Sequence, residues 1–418
     1  MQRSRTARNL LVVVTAGFLA SFTLALEGQT ASEAPAGFDD KTNGFVTQAE
    51  YDDLRAVFEE RDEVAKGLGP VYNAQSCAEC HQNPVTGGGS QIAELRAGHR
   101  DSAGNFVEAP GGSLINDRAI HPDIQERVGG ADNVRTLRMS TSVMGTGFIE
   151  AINSNTLVDI ANAQPGQSGG AIRGQVISVP VLEAPGQTRV GRFGWKNQNA
   201  SLLSFAADAY LNEMGITNRL LRTENTSMGR SVANFDKVAD NQPCANNGGV
   251  SCGEDPDGDI DEFAAFMRAT KAPPRDNGLA NTPDARAGST LFNQIGCNIC
   301  HVTSITTSSV GTRINGNTFT VPAALGNKII HPYSDFLLHD IGTGDGIVQN
   351  GGQSTANKLR TVTLWGTRTR DRHMHDGLSL TFTDAILRHA GEAAGVTSRF
   401  QGLSSNQRSQ IITFLQSL

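Results

Sequence analysis

Two five-residue stretches carry the chemistry of this chain. Cys77-Ala78-Glu79-Cys80-His81 and Cys297-Asn298-Ile299-Cys300-His301 share the pattern C-x-x-C-H. That spacing sets two thiols one helical turn apart, where each can form a thioether with a haem vinyl group, and the next histidine then lies under the iron as a ligand. A redox C-x-x-C of thioredoxin type needs a βαβ context that the neighbouring residues do not offer. A zinc site would leave each cluster an odd number of ligands, with the partner cluster roughly 220 residues away. The pattern therefore predicts two covalently bound c-type haems, attached through Cys77, Cys80, Cys297 and Cys300, with His81 and His301 on the irons. The residues before each motif also agree: Tyr72-Asn73 and Phe292-Asn293 both place an aromatic five residues ahead of the first cysteine. This weak repeat points to two cytochrome c-like halves of common origin.

Seven histidines are left for the other side of each iron. Phe382, Ala385, Ile386 and His389 stand at i, i+3, i+4 and i+7, so His389 falls on an apolar helix face. In a chain that holds haem, an imidazole there reads as an iron ligand rather than a core histidine. His373 and His375 flank Met374 just ahead of that helix, and Met374 competes for the same position. The first iron has no comparable partner; His99 and His121 are near in sequence, and His331 and His339 would have to come from the second half. An iron left five-coordinate is open to a small ligand, and His99, His339, His375 and Trp365 are the candidates to act beside it. Trp195 or Trp365 would be the aromatic relay between the irons.

The elements that position these residues are short. Thr47-Gln48-Ala49-Glu50 is a capping box leading into Tyr51, Leu54, Val57 and Phe58 at helical spacing. Residues 84–130 are polar and glycine-rich and read as loops, Gly174 to Leu182 alternates like part of a small hairpin, and 202–211 is an amphipathic helix. Glycine, at 46 residues, marks a turn-rich fold. The fold class is mainly α with long loops: two cytochrome c-like haem domains with a small β hairpin insert. Residues 1–25 read as a signal peptide, with Arg3, Arg5 and Arg8 before an apolar run and Thr23-Leu24-Ala25 as cleavage site. The N-terminal haem domain spans 26–243, a disulfide loop with an acidic turn and linker helix spans 244–274, and the C-terminal haem domain spans 275–418. Cys244 and Cys252 enclose a turn-rich loop and pair as a disulfide in an exported protein. Asp255, Asp257 and Asp259 alternate like the front of a calcium loop, or form a solvated acidic turn capping the helix 261–270. Pro273 and Pro274 close the linker.

Further along, the chain resembles a known family. Leu359-Arg360-Thr361-Val362-Thr363-Leu364-Trp365-Gly366 leading to His375-Asp376-Gly377, together with two haem motifs, looks like the bacterial di-haem cytochrome c peroxidase superfamily. Arg192-Phe193-Gly194-Trp195-Lys196, Asn212-Glu213-Met214-Gly215-Ile216-Thr217 and the stretches 334–342 and 384–393 are similar to its di-haem oxidoreductase branch. The resemblance implies a peroxidase-like oxidoreductase whose N-terminal haem takes the oxidant while the C-terminal haem relays electrons. In the peroxidases a methionine fourteen residues after the histidine of the His-Asp/Ser-Gly loop binds the second haem; here that offset from His375 lands on His389. A His/His pair lowers the potential relative to His/Met. The sequence assigns no residue to the acid that activates peroxide in that family.

Removing the three leader arginines takes the formal charge from −7 to −10, which argues against nucleic acid as a partner. A periplasmic protein without a stable membrane span follows, exchanging electrons with a small redox protein and acting on a small-molecule oxidant. Two alternatives stay open: a pure electron carrier with both irons six-coordinate, and oxygenase or oxidase chemistry at the same open haem.

Overall fold

The computed structural model describes residues 30–245 and 250–418, so the leader segment read at 1–25 lies outside the described residues. Eleven α-helices stand among the described residues, accompanied by small sheets. The Thr47 capping box forms as read: its side chain accepts from Glu50 N–H and Glu50 Oε2 accepts from Thr47 N–H at 2.8 Å. It starts α1 (Gln48–Glu59), and α2 (Cys77–Cys80) is the single turn carrying the first motif. Next come α3 (Thr146–Glu150), α4 (Ser154–Gln167), α5 (Leu202–Met214) and α6 (Asp259–Ala269). Helices α1 and α5 both pack on α6. Their seam is aromatic: Phe58 meets Phe266 at 4.6 Å between ring centres and Tyr210 meets Phe263 edge-on at 5.1 Å. Each such buried side chain contributes about 1.5–3 kcal/mol.

The second motif sits after α7 (Asn277–Ala280) and α8 (Pro283–Gln294). It is backed by α9 (Phe382–Leu387), α10 (Ala394–Gln401) and α11 (Ser405–Gln416). Helix α8 packs most extensively on α11 around Phe292, Phe400, Ile411 and Phe414. Gly288 makes that approach close, since a Cβ there would stand 1.9 Å from the Gln410 carbonyl oxygen.

Three regions differ from the sequence reading. Residues 84–130, read as loops, contain the eight-residue strand Ala93–Arg100, which pairs antiparallel with Phe106–Glu108, Leu114–Ile115 and Val134–Met139. The glycine that disguises it, Gly98, is needed because a Cβ would meet the Val107 oxygen at 2.4 Å. Helix α9 also ends at Leu387, so His389 lies just beyond its last turn, with its N–H on the Ile386 carbonyl at 3.1 Å. The hairpin at 174–182 is narrower than read: Ser178–Pro180 pairs with Thr188–Val190.

Ala31–Leu418 packs as one unit. The strand Ser32–Glu33 runs parallel to Lys328–Ile330, with Ser32 opposite Lys328. Buried Glu150 accepts from Arg268 at 2.7 Å, Leu202 N–H at 2.8 Å and Asn315 at 2.9 Å. Asp345 likewise pairs with Arg138 at 2.7 Å and Lys196 at 2.9 Å, all three nearly or fully inaccessible. No helix among the described residues is long and apolar enough to cross a membrane.

Candidate functional site

Ser76 caps α2 by accepting from Glu79 N–H at 3.2 Å, and His81 N–H closes the turn on the Cys77 carbonyl at 3.0 Å. Both thiols and the imidazole thereby face one cavity of about 340 Å³, walled by Phe58, Phe205 and Phe263. Burial pushes the Cys80 thiol up to about 12 and Cys77 higher still. A reactive C-x-x-C is shifted the opposite way. The same burial pushes His81 down to about 4, partly offset by backbone groups at Gly88 and Thr141. Its Nδ1 is buried without a partner of hydrogen-bond geometry. Two neutral thiols a turn apart with a neutral imidazole beside them are the donor set that a covalently attached haem requires.

The second cavity, of about 190 Å³, is lined by Cys297, Cys300, His301 and His389. His301 N–H closes on the Cys297 carbonyl at 2.9 Å. Burial pushes the Cys297 thiol up to about 12 and His301 down to about 4, and it lowers His389 as well. Nδ1 of His301 donates to the Tyr333 carbonyl at 3.0 Å, and Nδ1 of His389 donates to the Ala385 carbonyl at 2.7 Å. A carbonyl only accepts, so each ring carries its proton on Nδ1 and leaves Nε2 bare. The two ring centres are 6.4 Å apart. Imidazoles ligating one ion from opposite sides at about 2 Å each would have centres roughly 6–6.5 Å apart. Met374 lines this cavity too, and His373 lies against Phe382 at 4.5 Å.

The cavities share a wall. Met139, Ser140, Thr141 and Trp195 line both. Trp195 Nε1 donates to the Met139 carbonyl at 2.7 Å, and its ring meets His375 edge-on at 6.0 Å. Trp365 lines neither; it is buried in the core, next to Gly145 and Ala272.

No histidine besides His81 lines the first cavity among the described residues. His99 points from its strand to Asp132 at 3.1 Å, away from the cavity. His121 caps Pro122–Ile124, and His331 bonds Glu33 at 3.0 Å; both line neither cavity. His339 edges the second cavity with both nitrogens donating, to Asp335 at 2.8 Å and Glu392 at 2.9 Å. Burial opposes its charge, but these carboxylates outweigh it and hold the ring well above its ordinary range. It has no bare nitrogen for an iron.

What faces His81's cavity instead is a polar cluster the sequence reading missed: Glu94, Arg96, Asp208 and Glu213. Burial works against ionising Glu94, yet Arg96, 2.8 Å away, and a hydrogen bond from Glu213 hold its carboxyl below the ordinary range. Burial and the Glu94 charge hold Glu213 well above it. The pair thus shares one proton. Only Glu213 stood within a recognised motif, and nothing local marked it as facing Glu94 across 119 positions of chain.

Asp255, Asp257 and Asp259 do not converge. The Asp255 carboxylate accepts from Gly258 N–H at 2.9 Å and Asp259 N–H at 2.7 Å, capping α6. Asp257 is exposed, and Asp259 accepts from Tyr210 at 3.2 Å. Cys244 and Cys252 are joined with an S–S distance of 1.91 Å.

The family described as "di-haem oxidoreductase, putative peroxidase" matches residues 116–418, a span that contains the second motif and follows the first. Among solved structures, hydrazine synthase of Kuenenia stuttgartiensis aligns at 14% identity over 100% of both chains, with a TM-score of 0.40. A MauG-like protein associated with microbial copper homeostasis aligns at 14% over 93% of each chain, also at 0.40. A variant of the di-haem peroxidase BthA from Burkholderia thailandensis aligns at 12%, over 88% of this chain and 85% of that one, at 0.37. No curated protein sequence matches at a significant level.

Proposed function

Because this chain belongs to the di-haem oxidoreductase family, we propose that it is an exported c-type cytochrome with peroxidase-like activity at its N-terminal haem. Cys77, Cys80 and His81 hold that haem; Cys297, Cys300, His301 and His389 hold the other. The domain division at 26–243, 244–274 and 275–418 follows from this assignment, as does a periplasmic location with a small redox protein as electron partner. A haem bound in each cavity supplies an iron that exchanges single electrons, and an oxidant-binding position where a coordination site is left free.

The observation that carries the reading is the asymmetry between the cavities. One offers two opposed imidazoles with bare Nε2 atoms; the other offers one imidazole and a carboxylate–guanidinium cluster. Glu94, kept ionised by Arg96, is placed to accept a proton from a hydroperoxide entering the first cavity. Glu213, kept neutral, can return a proton to the departing oxygen, so the pair carries out both transfers without net change in charge. The burial of Arg96 and Glu94 strengthens the electrostatic effect of Arg96. Trp195 offers the aromatic path through the shared wall.

Met139, Met214 and Met267 also line the first cavity. A thioether in the sixth position would close that iron and make the protein a pure electron carrier. Visible spectra of the oxidised, mixed-valence and reduced protein, with and without carbon monoxide, separate the two. The peroxidase reading expects one high-spin haem that binds carbon monoxide; two low-spin haems that ignore it in all three states would overturn the reading.

A further inference from the structure

Outside both cavities, beside the disulfide, three carboxylates come together. Glu224, in the loop that follows α5, Asp240 and Glu254 each present an oxygen within 4.8 Å of the others. The arrangement is held from several directions. Gln242 N–H donates to the Gly253 carbonyl at 2.9 Å and Cys252 N–H to the Gln242 carbonyl at 2.8 Å, so the Cys244–Cys252 loop fixes Asp240 opposite Glu254. Glu254 N–H in turn donates to the Thr217 carbonyl at 3.0 Å.

One oxygen of each glutamate is committed. Glu254 Oε2 accepts from Thr217 N–H at 3.0 Å and its hydroxyl at 3.1 Å, and Glu224 Oε1 accepts from Asn225 N–H at 2.7 Å. The other oxygens are not. Glu254 is only 4% exposed, yet its Oε1 has no hydrogen-bond partner, and the buried Glu224 Oε2 has none either. The charged groups that act most on the three are acidic, Asp236 and one another, with no lysine or arginine among them. Buried carboxylates with bare oxygens and no cationic side chain need either protons or a metal ion.

We propose that Glu224, Asp240 and Glu254 bind a hard divalent cation of calcium size. An all-oxygen donor set selects such an ion over a soft transition metal, and calcium–oxygen distances of about 2.3–2.6 Å allow one ion to reach oxygens separated by up to roughly 4.8 Å. Carbonyl groups and water complete the coordination of such ions. This site is distinct from the acidic run at Asp255–Asp259, whose first carboxylate is spent on capping α6.

The test uses the full, haem-loaded protein stripped with a chelator, titrated calorimetrically with calcium chloride and melted with and without the ion. One calcium should bind, and a hundredfold excess over Kd should raise the melting temperature by roughly 3–5 °C. The double variant Glu224→Gln/Glu254→Gln should lose both responses, yet in chelator melt no lower than the parent, because two buried charges are gone. Asp240→Asn, at a more open position, should weaken binding without affecting folding. Asp257→Asn should bind like the parent. The proposal is overturned if the parent takes up no calcium, if the double variant binds as well as the parent, or if Asp257→Asn abolishes binding.

Discussion

Replacing Glu94 by glutamine removes a carboxylate that Arg96 holds ionised at the first cavity while keeping its volume. An amide still accepts a hydrogen bond from Glu213 but takes up no proton. A positioned acid or base contributes about 10²–10⁴-fold to a proton-transfer step. The lower half of that range applies here, because Glu213 and Asp208 remain as carboxyls in the same cavity. A fall of about 10²–10³ in kcat/KM for hydrogen peroxide follows, equivalent to about 3–4 kcal/mol of transition-state stabilisation. Glu213→Gln removes the proton that Glu213 would return to the departing oxygen and should cost about 10²-fold. The pH profile adds an independent reading. Arg96 keeps Glu94 ionised below the ordinary carboxylate range, so the acidic limb of the parent's activity lies low, and Arg96→Leu should move it to higher pH. Peroxide-dependent oxidation of a reduced redox dye, followed by stopped flow across pH, measures all three variants. A Glu94→Gln enzyme within about threefold of the parent at every pH would refute the assignment of Glu94 as proton acceptor.

His389→Ala should convert one low-spin haem to high spin and open it to carbon monoxide, visible in the reduced spectrum, while the carbon monoxide response of the first haem is unchanged. Gly288→Ala places a methyl group against the Gln410 carbonyl and should destabilise the protein by about 1–3 kcal/mol through separation of α8 and α11, measured by denaturant unfolding. Asp345→Ala leaves buried Arg138 and Lys196 without their carboxylate and should cost about 3–5 kcal/mol at neutral pH. Burial opposes the Asp345 charge, but Arg138 and Lys196 outweigh it and lower its folded pKa. The contribution is therefore complete above the unfolded carboxylate pKa and disappears as pH falls through the folded one. Acid titration should show parent and variant converging in stability at low pH.

Much of the second cavity was legible because its parts are local. Cys297, Cys300 and His301 are contiguous, and His389 was marked by its spacing from Phe382, although the helix stops before reaching it. The side of the first cavity facing His81 was not legible. Glu94 lies on a strand that Gly98 and its polar neighbours made look like loop, and its partner Glu213 comes from α5, so only tertiary packing joins them. The same limit hid the cluster of Glu224, Asp240 and Glu254, whose members carry no common spacing. The Asp255–Asp259 run had spacing without convergence, because a turn that caps a helix draws its carboxylate to backbone N–H groups. His99 was near the first motif in sequence and faced outward in space, since alternate residues of a strand point to opposite sides.

The parallel pairing of Ser32–Glu33 with Lys328–Ile330 threads the earliest described strand through the later half of the chain. Neither half can be lifted away without tearing that seam and exposing Asp345 stripped of Arg138 and Lys196. Calorimetric unfolding should therefore proceed as a single event, and a polypeptide nicked once between the halves should stay clasped; two separate transitions would refute this.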